Sequence, residues 1–238
     1  MTTAQPGSAL PAEIDKFNRL AAEWWDPAGP MAPLHAMNDL RTGWIDGHVR
    51  ARAAPARLLD VGCGAGLAAE ALARLGYDVL GIDAAPDPIA AAAAHADGAG
   101  LALAYRVATA EALAREGLRF PVITALEVIE HVADPARFFG LLGELLEPGG
   151  LLFLSTLNRT LRSLTVAKIG AEYVARLLPI GTHEWRRFVT PAELDRFSRR
   201  PGLRLAATRG MSFDLRRREW RGSADLSVNY LAMLEKRP

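Results

Sequence analysis

The stretch Leu58-Leu59-Asp60-Val61-Gly62-Cys63-Gly64-Ala65-Gly66 decides the fold of this chain of 238 residues. A short apolar strand runs into alternating glycines, and a helical pattern follows from residue 67 until Gly76 ends it. Glycine permits a tight turn and lets the backbone approach a ligand closely. The pattern therefore predicts the first strand, turn and helix of a parallel α/β unit, with a ligand site at the turn.

Two acids beside this glycine loop discriminate between classes of nucleotide cofactor. Asp83 ends the next predicted strand, about 20 residues further on, where a carboxylate can accept hydrogen bonds from ribose hydroxyls. A dinucleotide site needs a third glycine where this chain has Leu67, and Asp60 would repel a pyrophosphate. Asp60 instead suits the ammonium group of a methionine moiety. The loop therefore favours S-adenosylmethionine and argues against an NAD-dependent dehydrogenase.

Strands and helices alternate beyond the loop. We predict strands at residues 57–61, 77–82, 103–107, 122–126 and 151–155, and helices at residues 67–75, 84–96 and 135–146. Such alternation implies a mostly parallel sheet with right-handed crossovers. Thr190 is predicted to cap a further helix, with Pro191 at its first position and Glu193 completing a capping box. Residues 204–209 and 211–215 are predicted to be two closing strands.

Three segments complete the predicted organisation. Residues 1–12 are expected to be disordered, residues 13–54 to form an N-terminal helical cap, and residues 55–238 to form the main domain. Residues 157–189 interrupt the α/β rhythm as an insertion. On a helical wheel, residues 161–178 have a narrow polar arc and a wide apolar one. That pattern fits a helix in a membrane interface, and equally a buried lid helix.

The composition excludes several classes of function. The 28 Lys and Arg residues nearly balance the 27 Asp and Glu residues, so no global field attracts nucleic acid. The N-terminus lacks the pattern of a secretory signal, and no apolar run approaches the roughly 20 residues of a membrane-spanning helix. We therefore expect a cytoplasmic protein. Cys63 has no partner for a disulfide; it is either a small loop residue or a nucleophile.

Three polar residues, Glu127, Glu130 and His131, follow the fourth predicted strand directly. At the carboxyl end of a parallel strand they point towards the ligand crevice, and in a helix they would share one face. Two carboxylates and an imidazole can bind a divalent metal, which would hold a catechol through two oxygens. Two alternatives stay open: His131 is a metal-free general base, or the cluster only stabilises a helix N-terminus.

Beyond the loop and the cluster, the chain resembles a known family. The loop and the helix end, turn and strand at residues 146–155 look like class I methyltransferases. From about Phe17 to Tyr230 the chain is similar to the ubiquinone biosynthesis O-methyltransferases. The motifs that carry this similarity are Trp24-Trp25-Asp26, Leu34-His35 with Asn38 and Arg41, Glu127 with Glu130-His131, Ser155-Thr156-Leu157-Asn158-Arg159, Gly170-Ala171-Glu172-Tyr173 and Gly181-Thr182-His183.

The resemblance implies a doubly wound, Rossmann-like, mostly parallel sheet of seven strands, with the N-terminal helical cap and an inserted helical segment. It implies methyl transfer from S-adenosylmethionine to a catechol hydroxyl of polyprenylated ubiquinone precursors. The implied cofactor-binding residues are Arg41, Asp60, Gly62, Gly64, Asp83 and Leu126, with Thr109-Ala110-Glu111 near the adenine. The implied catalytic residues are His131 and Glu127, and the implied magnesium ligands are Glu127, Glu130 and His131.

The expected partners follow from the same resemblance. A polyprenyl catechol dissolves in the bilayer, so residues 161–180 would contact the lipid surface at the inner membrane face. His183 would line the pocket or lie in a surface loop. Other ubiquinone-pathway enzymes are further expected partners, and nucleic acid is not. Another small phenol or amine is the alternative acceptor, and a nucleotide-binding regulator without turnover is the alternative from a different class.

Overall fold

In the part of the chain that the structure describes, eight strands form a central sheet, whereas the resemblance implies seven. The computed structural model describes residues 8–54, 57–165, 184–214, 217 and 219–237. The strands are β1 Arg57–Val61, β2 Asp78–Asp83, β3 Leu103–Val107, β4 Phe120–Leu126, β5 Leu146–Leu157, β6 Leu203–Asp214, β7 Glu219–Ser223 and β8 Asn229–Lys236. Their order across the sheet is β3-β2-β1-β4-β5-β8-β6-β7.

The direction of the strands brings most of their carboxyl ends to one side. Strands β1 to β5 pair in parallel. Strand β8 runs antiparallel to β5, and β6 runs antiparallel to β8, so β6 again points the same way as β5. Strand β7 folds back on the end of β6 as a hairpin. We call the shared end of β1 to β6 the carboxyl edge, since any ligand crevice of a parallel sheet lies there.

Helices cover both faces of the sheet. They are α1 Pro11–Leu20, α2 Ala32–Arg50, α3 Leu67–Arg74, α4 Pro86–Ala96, α5 Ala110–Arg115, α6 Pro135–Leu145, α7 Leu161–Ser163 and α8 Pro191–Arg199, with short 3-10 helices at Ala21–Glu23, Ile129–His131 and Trp185–Arg187. Successive strand residues serve opposite faces. Leu58 packs in the cluster of α2 and α3, and Leu59 packs in the cluster of α5, α6 and α8. This double burial explains the continuous apolar runs of the central strands.

The predicted α/β core is confirmed, and the closing part of the sheet differs from the prediction. Residues 204–209 and 211–215 are not two strands: the single strand β6 runs through Gly210. The glycine is needed for space and not for a turn, because a Cβ there would lie 1.9 Å from the backbone oxygen of Asp225. Strand β8, which inserts between β5 and β6, and the hairpin strand β7 were both missed.

Residues 8–12 are ordered, so the prediction of disorder is wrong for them. The amide of Ser8 donates to Glu111 Oε1 at 2.6 Å, and its hydroxyl donates to Oε2 at 3.1 Å. Ala9 forms an isolated antiparallel bridge with Val132, and helix α1 begins at Pro11. These long-range bonds outweigh the turn-forming composition of the segment. Residues 1–7 lie outside the described residues.

The predicted insertion at residues 157–189 is described only at its two ends. At the first end, Thr160 caps α7 in a capping box with Ser163. At the second, Trp185 Nε1 donates to the backbone oxygen of Thr160 at 2.9 Å, which ties the two ends together. The predictions that concern residues 166–183, including the polar arc and His183, fall outside the described residues. Among the helices that are described, none is long and apolar enough to cross a membrane.

We expect Gly210→Ala to lower the free energy of unfolding by about 3 kcal/mol, because the added methyl group meets backbone that cannot rotate away. Gly140→Ala in α6 is the matched control. Nothing lies within 4 Å of its Cβ position, so the helix gains about 1 kcal/mol from the better helix former. Urea denaturation of both variants measures the effects. Equal effects of the two substitutions would contradict the proposed close approach at Gly210.

Candidate active site

A cavity of about 650 Å³ opens at the carboxyl edge. The glycine loop and the ends of β2 and β4 form its floor, and α1 and the first half of α2 form its opposite wall. Most of its surface is apolar, with a few charged groups among the lining side chains. A cavity of this size and lining is typical of a site for small molecules.

The N-terminal cap closes directly on the glycine loop. The ring of Trp24 occupies the space above Gly64, where a Cβ would lie 2.2 Å from its Cζ2 atom. Trp25 Nε1 donates to the backbone oxygen of Ala65 at 3.0 Å, and its ring stacks on His95 with centroids 3.4 Å apart. The paired tryptophans are therefore part of the wall around the loop.

Both predicted acids lie at the loop and line the cavity. The carboxylate of Asp60 is buried; it accepts a hydrogen bond from Thr124 Oγ1 at 2.6 Å, and its Oδ2 has no partner among the described residues. Burial raises the pKa of Asp60 to about 6, against the opposing effects of Thr124 and Arg41. Asp83 accepts from the amides of Gly64 at 3.0 Å and Ala85 at 2.8 Å. Burial raises its pKa too.

Arg41 places a buried positive charge beside these acids. Its Nη2 donates to Asn38 Oδ1 at 3.1 Å, and its Nε has no partner among the described residues. Burial lowers the pKa of Arg41, and the charges of Glu127 and Asp60 oppose that shift. The guanidinium therefore lies within electrostatic reach of both the loop and the end of β4. An unsatisfied N–H group there can bind an incoming carboxylate.

The chain does not continue as an α-helix after β4, so the condition under which Glu127, Glu130 and His131 would share a helical face is not met. Glu127 has a φ of 57°, and only the 3-10 helix Ile129–His131 follows. Ser155 of β5 stabilises the left-handed backbone of Glu127. The amide of Glu127 donates to Ser155 Oγ at 3.1 Å, and that hydroxyl donates to Glu127 Oε1 at 2.7 Å. Such a conformation is costly for a residue with a Cβ and often marks a functional site.

Glu130 lies deeper than Glu127 and is almost fully buried. Its Oε2 accepts from Thr156 Oγ1 at 3.0 Å, and its Oε1 has no partner in the described part of the chain. Burial and the neighbouring charge of Glu127 raise the pKa of Glu130 well above that of an exposed glutamate. A carboxyl group in this position can therefore hold a proton near neutral pH.

His131 is oriented by the N-terminal cap. Its Nδ1 lies 2.8 Å from Glu13 Oε2 on α1, and its ring meets the ring of Phe17 edge to face at 5.3 Å. The contact with His131 lowers the pKa of Glu13 to about 2. Sequence reasoning missed Glu13; the available signal was an acid one helical turn before Phe17, on the face of α1 that is otherwise apolar.

The three predicted metal ligands are bonded to other groups of the protein. Within the described ranges, no group of three or more His, Cys, Asp or Glu side chains is arranged to hold a metal. The Nδ1 of His131 is engaged by Glu13, and hydroxyl groups of β5 hold the carboxylates of Glu127 and Glu130. As placed, these residues do not fit a bound metal, and magnesium at this position stays a prediction.

The remaining predicted site residues divide into two groups. Leu126 and Thr109 line the cavity, as expected of residues near a cofactor. The carboxylate of Glu111 instead accepts hydrogen bonds from the amide and the hydroxyl of Ser8. Cys63 is buried, and burial raises the pKa of its thiol, so the structure favours a small loop residue over a thiolate nucleophile.

Comparison with known proteins finds two levels of similarity. Residues 37–208 match the family described as "Methyltransferase domain". The chain is 48% identical to the ubiquinone biosynthesis O-methyltransferase of Azorhizobium caulinodans, over 92% of this chain and 91% of the relative. It is 45% identical to the protein of the same name from Caulobacter vibrioides, over 99% of this chain and 98% of the relative.

Solved structures share the fold at lower identity. The magnesium protoporphyrin IX methyltransferase from Synechocystis PCC 6803 with bound SAH superposes with a TM-score of 0.66 at 17% identity, over 94% of this chain and 98% of that one. An S-adenosylmethionine-dependent methyltransferase from Clostridium acetobutylicum gives a TM-score of 0.66 at 10% identity, over 94% of this chain and 100% of that one. These similarities establish the class I methyltransferase fold.

Asp60 is predicted to bind the ammonium group of the ligand in its ionised form, and its pKa is about 6, so we expect the affinity for S-adenosylhomocysteine to fall as the pH drops below about 6. Protonation of Asp60 removes that attraction, so the affinity at pH 5 should be about tenfold lower than at pH 8. Isothermal titration calorimetry across this range measures the dependence.

Two variants separate Asp60 from other titrating groups. Asp60→Asn should bind weakly throughout and lose this part of the pH dependence. Asp78→Asn, at the exposed start of β2, should retain the wild-type profile. A profile that is unchanged in Asp60→Asn would show that Asp60 does not contact the ammonium.

Proposed function

The chain belongs to the family of ubiquinone biosynthesis O-methyltransferases, and we propose that it transfers the methyl group of S-adenosylmethionine to a catechol hydroxyl of a polyprenylated ubiquinone precursor. One observation carries the proposal at the level of this chain. A single cavity connects the acids of the glycine loop with the Glu13–His131 pair and Glu127. A methyl donor and a proton acceptor can therefore meet in one apolar space.

The glycine loop supports the cofactor half of this proposal. Bound there, S-adenosylmethionine supplies an electrophilic methyl group on a sulfonium centre. The Oδ2 of Asp60 and the Nε of Arg41 have no partner among the described residues, so the first can accept from the ammonium group and the second can bind the carboxylate. Asp83 lies on the neighbouring strand, where it can accept from ribose hydroxyls. Buried opposite charges bind such a zwitterion more strongly than exposed ones, because water does not screen them.

The Glu13–His131 pair supports the chemical step. A catechol hydroxyl is a weak nucleophile until it loses its proton, and an imidazole has a suitable proton affinity near neutral pH. With Nδ1 engaged by Glu13, the other ring nitrogen, Nε2, takes the hydroxyl proton. The carboxylate of Glu13 then stabilises the imidazolium. Once it has lost its proton, the oxygen could accept the methyl group from the sulfonium, and the carboxylate of Glu127 in the same cavity would attract that positive centre.

Magnesium at Glu127, Glu130 and His131 is not used in this mechanism, because those side chains do not fit a metal as placed.

The polyprenyl tail leads to a further proposal about the location of the protein in the cell. We propose that residues 161–180 contact the cytoplasmic face of the membrane and that other enzymes of the pathway gather there. The apolar arc that a helical wheel predicts for residues 161–178 and the solubility of such substrates in the bilayer support the idea.

His131→Ala should lower kcat by about 10² to 10⁴, because the hydroxyl proton loses its acceptor. The affinity for S-adenosylhomocysteine should stay near that of the wild type. His48→Gln is the matched control; this histidine bonds the backbone of Trp44 on α2. The assay follows labelled methyl transfer from S-adenosylmethionine to a prenylated catechol. An unchanged rate in His131→Ala excludes the proposed base.

The same assay decides the role of a metal. With His131 as the base, transfer should survive complete removal of divalent metals by a chelator. Loss of the activity on chelation, and its return with Mg²⁺, would replace this mechanism with the metal-assisted one.

Flotation of the protein with vesicles that contain anionic lipid tests the proposed membrane contact. The full chain should rise with the vesicles, and a variant that lacks residues 166–180 should stay in the dense fraction while it retains affinity for S-adenosylhomocysteine. Flotation of both proteins to the same extent would place the contact elsewhere.

A further inference from the structure

We propose that the carboxyl edge over β8, β6 and β7 is an acceptor subsite, in which Asn229 anchors the catechol ring and the Phe213–Trp220 pair takes the first isoprene units of its tail. The proposal rests on the proposed function and adds to it the residues that select the substrate. Three observations carry it: the position of this part of the edge, an unpartnered buried amide, and a pair of aromatic side chains on the cavity wall.

The position follows from the strand order. The two acids proposed to bind the cofactor, Asp60 and Asp83, lie at β1 and β2, and Glu127 lies at the end of the neighbouring strand β4. Strand β6 is four places from β1, and at about 4.8 Å per place it lies about 19 Å away. A cofactor bound over β1 and β2 therefore leaves the opposite end of the cavity open for the acceptor, and strands β8, β6 and β7 form that end.

Asn229 supplies a polar group on the side of the subsite that lies nearer to the cofactor. It is the first residue of β8, pairs with Leu157 of β5 and Met211 of β6, and lines the cavity. The residue is 4% exposed, and its Oδ1 has no hydrogen-bond partner among the described residues. A buried acceptor without a partner is costly, and a ligand hydroxyl can satisfy it. A catechol has one hydroxyl for methylation and a second to donate here.

The far side of the subsite is aromatic. Phe213 and Trp220 are paired across the β6–β7 hairpin, with ring centroids 5.7 Å apart in an edge-to-face arrangement. Both line the cavity, and Phe213 remains 44% exposed. Leu34 and Met37 of α2 line the cavity too and pack in the same cluster as Trp220. Such a wall gains free energy when a branched hydrocarbon covers it.

The test uses the whole protein and three acceptors, a catechol that carries none, one or two isoprene units. In the wild type we expect kcat/KM to rise with each unit. Phe213→Ala should lower the ratio of kcat/KM between the longest and the tailless acceptor about tenfold, because the tail loses its contact. Asn229→Ala should lower kcat/KM for all three acceptors by a similar factor, about tenfold, and keep the ratio. Calorimetry with S-adenosylhomocysteine verifies that both variants are folded.

Val107→Ala, which truncates an exposed apolar side chain on β3, is the control and should change neither quantity. The proposal is overturned if Phe213→Ala leaves the ratio unchanged or if Asn229→Ala acts on prenylated acceptors alone. If the wild type methylates none of the catechols, the proposed function fails. The calorimetric affinities of the three acceptors for the protein loaded with S-adenosylhomocysteine then decide the subsite by the same criteria.

Discussion

The glycine loop after β1 is the constraint on which the rest of the structure depends. Each of its three glycines has a positive φ, and each is contacted by a side chain from a different part of the chain. Val128 packs on Gly62, Trp24 on Gly64 and Tyr105 on Gly66. The absent Cβ atoms thus leave room for the turn beyond β4, for the cap and for β3. A turn that exists to approach a ligand therefore also organises the cavity around that ligand.

The charges around the loop are arranged for binding at a cost in stability. Asp60, Arg41 and Glu130 are all buried, and each keeps one polar atom without a partner in the described part of the chain. A fold selected for stability alone would pair these groups or replace them with apolar ones. The shifts in their pKa have the same cause, since burial disfavours every unpaired charge. A zwitterionic ligand relieves this cost only when its positive group lies beside a buried carboxylate and its negative group lies beside Arg41.

Local patterns predicted the parts of the molecule that local physics determines. The strand, glycine turn and helix at residues 58–76 and the capping box at Thr190 are short-range features, and the structure has both. Strand β8 was missed because its place between β5 and β6 depends on strands distant in sequence. The contact between Glu13 and His131 was missed for the same reason. No helical face forms at Glu127, because a hydroxyl from β5 bonds the amide of this residue while its backbone is in the left-handed region.

The cap links binding to chemistry through a single helix. Helix α1 provides Glu13, which orients His131, and Phe17, which lines the cavity. The chain just before α1 is fixed at Glu111 through Ser8, near the part of the edge expected to hold the adenine. If His131 is the base, the base is complete only while α1 is in place over the cavity. The contacts of α1 would then both exclude water from the cavity and orient the base. When α1 is away from the cavity, a bound sulfonium has no oriented base beside it.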